Sequence, residues 1–409
     1  MVSENLTKLR NEIRLIMCLG RKQVSSAALA DAERLIKAGI DWDYLLAAVV
    51  FHGVFPTFFK HLKTHFAASV PPKCFRMMTG HNDKIRFLNL ALVGTFLQYH
   101  SALQKNGIES VIFKGPALAL SLYDDLLMRE FSDVDILVSQ ANAKAAQALL
   151  LELGYQPSPE RDPPLSRQFL QSDVFFELEC EHTFTKEKPT GVIDLHWQLQ
   201  PHHILPIDYE AVLENVESIA IEGKQMQTIS PELSFIVLSA HASKHVWKRF
   251  LWIFDIAEML DQQGKLNLDW KIVEKLSDRA HVTPMVVLAC YLADQVFDCE
   301  MPAFARAGLT PLLKRMAQEV LDKMEILSES DAGIRFMGWK FCSQMRSSFS
   351  SKVHYLTTEI FHPTVADYVR LPLPLFMYKT YYLLHPAWLV SDAAMRRLGA
   401  KNSEQAASP

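Results

Sequence analysis

Two short segments in which aspartates alternate with aliphatic residues limit what this chain can become. One is Phe131-Ser132-Asp133-Val134-Asp135-Ile136-Leu137-Val138 and the other is Gly191-Val192-Ile193-Asp194-Leu195-His196. A two-residue period belongs to a β-strand, whose successive side chains point to opposite faces. The alternation therefore places Asp133 and Asp135 on one face, with Val134 and Ile136 on the other, against a core. Carboxylates a few ångströms apart raise one another's pKa, so holding several together is costly unless a cation lies among them. The pattern predicts a divalent-metal site, and Mg²⁺ suits one or two carboxylates combined with substrate phosphate oxygens.

The rest of the chain frames these strands. Residues 1–107 carry apolar residues at helical spacing (Leu29, Ala32, Leu35, Ile36, Ile40; then Leu45, Leu46, Val49, Val50), and a long amphipathic helix is expected from Asn82 to Lys105, ending at Asn106-Gly107. Residues 108–228 read as a small α/β unit. It has a strand at Ser110–Phe113, a helix opened by Gly115-Pro116, a strand at Val134–Val138 and a helix over Ala141–Leu153. A strand at Phe175–Phe184 and another at Val192–Leu199 follow, joined as a hairpin through the polar turn at 186–191. Helical periodicity resumes at 229, with Ser230 as N-cap and Pro231 in the first turn, and continues to 399. Residues 400–409 read as a disordered tail. The fold class is α+β: a small mixed-sheet core between an N-terminal helical region and a C-terminal helical domain.

Composition narrows the function. A net charge of −4 offers no footprint for an extended nucleic-acid track. Six scattered cysteines without a C-x-x-C argue against a disulfide framework and a cysteine-rich zinc site, and fit reduced thiols in a cytoplasmic protein. The apolar stretch 371–390 is interrupted by Pro372, Pro374 and Pro386, so no membrane span is expected; a C-terminal helix lying on a membrane surface is the minor alternative. His241 and His245 share a helix face at zinc spacing, but lack the glutamate of His-Glu-x-x-His and an evident third ligand; they read as packed histidines or, with Lys244, as a basic surface. Glu177, Glu179 and Glu181 alternate on the expected Phe175–Phe184 strand, with Glu179 or Glu181 able to border the site.

The ordered set Lys114-Gly115-Pro116-Ala117-Leu118, Tyr123, Arg129, Asp133-Val134-Asp135, Ile193-Asp194-Leu195-His196-Trp197 and His241 to Trp247 resembles the nucleotidyltransferase superfamily that includes DNA polymerase β. The closer resemblance is to a bacterial nucleotidyltransferase-like family whose members are largely uncharacterised. It extends over roughly residues 82–390 and implies transfer of a nucleoside monophosphate from an NTP to an unidentified acceptor, small molecule or protein, with pyrophosphate release. Asp133, Asp135 and Asp194 are then the catalytic and metal-binding acids for two Mg²⁺ ions, or Mn²⁺, with Asp194 helping to deprotonate the acceptor. Lys114, Gly115, Arg129 and Lys244 are the nucleotide-binding residues. The chain departs from the superfamily signature in two respects: Pro116 replaces a serine or glycine and brings neither N–H nor hydroxyl to a phosphate, and the interval from Gly115 to Asp133 is long. Those departures leave open a catalytically silent binding or scaffold protein on the same fold, and a kinase-like phosphotransferase.

Overall fold

Strands between residues 110 and 229 assemble into one mixed sheet, seen in a computed structural model that describes residues 6–158, 165–188, 190–327 and 331–392. Its members are β1 (Ser110–Phe113), β2 (Val134–Val138), β3 (Gln156–Pro157), β4 (Glu181–Lys186), β5 (Gly191–His196), β6 (Val216–Ile221) and β7 (Lys224–Ile229), in the order β3-β4-β5-β2-β1-β7-β6. β2 runs parallel to β5 and β1 parallel to β7; the remaining neighbours are antiparallel. The period-two pattern sorts the two faces. Val134, Ile136, Val138, Ile193 and Leu195 pack on one side, with Phe96 and Tyr99 of the helix Pro72–Lys105 and Ala143 and Ala146 of the helix Gln140–Glu152. Phe113 and Leu137 face the other way, into a larger core built with the N- and C-terminal helices. Asp135 shares the parity of Leu137 and so faces that second side. The six cysteines are unbridged.

The α+β class and the flanking helices agree with the sequence reading, and several boundaries change. The long helix starts at Pro72, ten residues before the expected Asn82. Gly80 looks like a break, yet a single interior glycine costs only about 1 kcal/mol relative to alanine, too little to stop a well-packed helix. The expected strand Phe175–Phe184 divides. Asp173–Leu178 is a short helix capped by Ser172, whose hydroxyl accepts from the Phe175 N–H at 3.3 Å, and only Glu181–Lys186 is strand. Glu177, Glu179 and Glu181 therefore do not share a strand face. The β6–β7 hairpin goes unread in the sequence. Its turn, Glu222-Gly223, has positive φ at both residues (48° and 75°), as tight hairpins of primed type require. Ser230 caps the helix Pro231–Lys244 as expected. The tail 400–409 lies outside the described residues.

Buried polar contacts fasten the helical regions to the sheet. Asp255, fully buried on the helix Phe250–Asp261, accepts from Arg129 Nη2 at 2.8 Å and Nε at 3.1 Å, and from the Tyr123 hydroxyl at 2.9 Å. The Leu122 carbonyl accepts from Lys22 Nζ at 2.8 Å and Gln262 Nε2 at 2.9 Å, so one acceptor joins the N-terminal region, the core and the C-terminal helices. His52 is buried between Met324 and Phe250: its Nε2 lies 3.0 Å from the Met324 carbonyl, and Nδ1 accepts from the Phe250 N–H at 3.3 Å. That pair of contacts fixes the neutral tautomer.

Removing one partner from a buried ion pair leaves the other charge without compensation, at a cost of about 3–5 kcal/mol. Asp255→Ala is expected to destabilise by about that amount in urea unfolding, and the double variant Asp255→Leu/Arg129→Met to recover most of the loss. Burial lowers the His52 pKa from 6.5 to about 4. The unfolded chain then binds more protons below pH 6.5, so stability falls as pH drops from 6.5 towards 4, by up to about 1.4 kcal/mol per unit. Unfolding free energy measured across that window, in wild type and His52→Gln, is expected to show a shallower slope in the variant.

Candidate active site

Strand register builds the site. Parallel pairing of β2 and β5 sets Asp135 directly beside Asp194, while antiparallel pairing of β4 and β5 sets Thr183 beside Asp194 and Glu181 beside His196. Residues paired across strands project to the same face, so these side chains converge. Ligand atoms of Asp135, Asp194 and His196 lie within 4.8 Å of one another, and all three residues are buried. His196 follows the same i, i+2 rule that pairs Asp133 with Asp135, a signal legible in Asp194-Leu195-His196.

Opposite charges compensate the acids. Lys114 Nζ donates to Asp135 Oδ1 at 2.8 Å, and His196 Nε2 lies 3.2 Å from the same oxygen. His196 Nδ1 is 3.2 Å from Glu181 Oε2. A line of alternating charge results: Lys114, Asp135, His196, Glu181. Burial pushes the Asp135 carboxyl upward, but the Lys114 ammonium and the His196 hydrogen bond outweigh it and hold the group well below the usual carboxylate range. Burial opposes the charged form of His196 too; Glu181 and Asp135 overcome it and raise the imidazole pKa.

The turn from β1 into the helix Gly115–Tyr123 delivers Lys114. Its φ of 58° and ψ of −150° fall in a region seldom used by residues with a side chain, and such strain persists only where surrounding contacts enforce it. Gly115 follows at φ 38°, and a β-carbon there would approach the Asp133 carbonyl oxygen to 3.1 Å. Glycine is required for this close passage.

The other expected site residues separate. Asp133 lies just before β2, half-buried, its Oδ2 accepting from the Ser132 hydroxyl at 3.1 Å; it stands outside the Asp135–Asp194–His196 group. Arg129 is committed to Asp255 rather than turned to the site. Lys244 ends the helix Pro231–Lys244 and lines a cavity of about 700 Å³ with His245, Lys248, Glu179, Cys180 and Gln198. None of Lys114, Asp135, Glu181, Asp194 and His196 lines this cavity; its nearest approach in sequence is through Cys180, which precedes Glu181, and Gln198, two residues after His196. His241 and His245 pack with Trp252 at ring separations of 5.5 and 5.6 Å. Burial lowers both imidazole pKa values, that of His245 to about 3, and among the described residues no third ligand joins them.

A model of a family described as "uncharacterised nucleotidyltransferase" matches residues 38–298, more than half of the chain. The chain belongs to this nucleotidyltransferase family. No curated protein and no solved structure matches it. The family match covers the entire sheet and the first helices of the C-terminal domain, and so contains every acid of the site. The donor set of this nucleotidyltransferase-family chain fits a divalent ion: two carboxylates suit Mg²⁺, and an imidazole beside them is a donor that Mn²⁺ takes more readily. Among the described residues no helix is long and apolar enough to cross a membrane.

Stability separates the two acids of β2. Asp135→Ala strands Lys114 and His196 and is expected to cost about 3–5 kcal/mol in metal-free buffer. Asp133→Ala, at a half-exposed position, is expected to stay within about 0.5 kcal/mol of wild type. Chemical denaturation with chelator present checks both.

Proposed function

We propose that the protein is a metal-dependent nucleotidyltransferase that moves a nucleoside monophosphate from an NTP to a hydroxyl-bearing acceptor and releases pyrophosphate. The observation that carries this reading is the convergence of Asp135, Asp194 and His196 on adjacent strands of a nucleotidyltransferase-family chain. Asp135 and Asp194 would hold the metal, with Asp133 contributing from the edge of the strand and His196 as a further donor. When bound, Mg²⁺ or Mn²⁺, two ions in the superfamily scheme, would supply positive charge to neutralise the phosphates and acidify the acceptor hydroxyl.

The chain's own groups do the positioning. Lys114 exchanges Asp135 for a phosphate oxygen, a change that its flexible stem permits. Gly115 lets the nucleotide approach the backbone, and the N-terminus of the Gly115–Tyr123 helix faces its negative charge. Pro116 donates no N–H there, so charge rather than a dense amide cradle carries phosphate binding. Arg129 acts at one remove, by locking the Tyr123 end of that helix onto Asp255. Lys244 reaches the phosphates from the cavity wall, and the cavity itself, within the range of small-molecule sites, admits the acceptor. Asp194 takes the acceptor proton.

One observation favours a second reading. Lys114 and His196 already neutralise Asp135 without a metal, so the fold is self-sufficient as a silent binding protein.

Pyrophosphate release from each NTP, with Mg²⁺ or Mn²⁺ and a pooled metabolite and protein extract as acceptor source, decides between them. Release by wild type, at least about 10²-fold lower in Asp194→Asn, is expected. Nucleoside diphosphate as the released product would mean kinase chemistry. Absence of metal-dependent NTP binding by calorimetry would support the silent protein.

A further inference from the structure

Among the described residues, ten of the fifteen large apolar side chains that lie exposed fall within 349–390, a segment beyond the family match. The most exposed are Phe376 (85 %), Phe349 (82 %), Leu383 (79 %) and Val390 (72 %). In the closing helix, residues 381–392, Tyr381 and His385 point inward while Leu383, Ala387 and Val390 form the outward stripe. The usual amphipathic arrangement is thus reversed: the solvent face of this helix is apolar over successive turns. Phe376 stands on the neighbouring turn Leu375–Thr380, preceded by Leu371-Pro372-Leu373-Pro374.

Over residues 349–392 three carboxylates balance three cations in number, but the carboxylates are drawn into the protein. Glu359 pairs with His203 at 3.2 Å, Asp367 with His385 at 2.7 Å, and Asp392 with Arg370 at 3.0 Å. Arg370 is taken up by Asp392, which leaves Lys352 and Lys379 as the segment's other cations, and Arg396, Arg397 and Lys401 follow in the sequence. Partly exposed Tyr378, Tyr382 and Trp388 accompany the aliphatic side chains, as in interfacial membrane segments. Phe349, Phe376, Leu383 and Val390 are each exposed to 70 % or more, so each stands clear of neighbouring side chains. A protein partner would need a matching pocket for each, whereas a lipid interface accommodates any such outline.

We propose that residues 349–392 dock on an anionic lipid surface, with Phe376, Leu383 and Val390 entering the boundary between headgroups and acyl chains and the basic side chains meeting the headgroups. The attachment is peripheral, because no helix among the described residues can span. It does not depend on the nucleotidyl-transfer reading.

The test is sedimentation of the full chain with vesicles of phosphatidylcholine mixed with phosphatidylserine, and of phosphatidylcholine alone, at low and high salt. Binding to the mixed vesicles is expected, weakened by salt and by omission of phosphatidylserine. Leu383→Glu and Phe376→Ser are each expected to reduce it about tenfold or more. Both positions are solvent-exposed, so thermal melts should match wild type. Failure to bind at low salt overturns the proposal, as does binding that both variants retain. Light scattering that shows a dimer dissociated by Leu383→Glu would assign the face to a second copy of the chain and overturn it equally.

Discussion

Asp135 beside Asp194 on parallel strands is the constraint around which this protein is arranged. Two buried carboxylates in register repel each other, and the sheet can hold that register only where cations are at hand. Lys114 and His196 meet the requirement on one oxygen of Asp135, and Glu181 in turn stabilises the charged form of His196. Lys114 reaches its position through a strained turn, and that turn closes only because Gly115 passes close to the Asp133 carbonyl. Strain, glycine, lysine and histidine are therefore parts of one electrostatic solution. The site thus balances the charge of Asp135 with the chain's own side chains.

The helical regions on either side serve the same end. Asp255 gathers Arg129 and Tyr123, and the Leu122 carbonyl gathers Lys22 and Gln262, so the helix that follows Gly115 is clamped at its far end from two directions. Its near end, where Lys114 meets the acids, is thereby held against the sheet. Arg129 illustrates the economy of this arrangement: an arginine in a nucleotidyltransferase pattern suggests phosphate binding, yet here it has become a buried structural cation.

The large cavity that Lys244 and Cys180 line is also lined by His354, Tyr355, Glu359, His362 and His385. These residues lie beyond the family match, on the helices that also carry the exposed apolar stripe. The family match thus takes in the sheet and its acids, and ends before these helices.

The sequence alone determined the alternation that makes strands of 134–138 and 191–196, the helical regions around them, the Ser230 cap and the aspartates themselves, because period and capping are local properties. The same i, i+2 rule applied to Asp194 and His196 would have brought in the histidine. Tertiary structure alone decided the rest. Strand order places Asp135 beside Asp194, and leaves Asp133 at the edge. The contact with Asp255, more than a hundred residues away in sequence, fixes the use of Arg129. Ser172 capping turned half of an expected strand into a helix, and the hairpin at Glu222-Gly223 extended the sheet. Pairing across distant segments is a contest of burial and charge compensation over the whole chain, and no local pattern records its outcome.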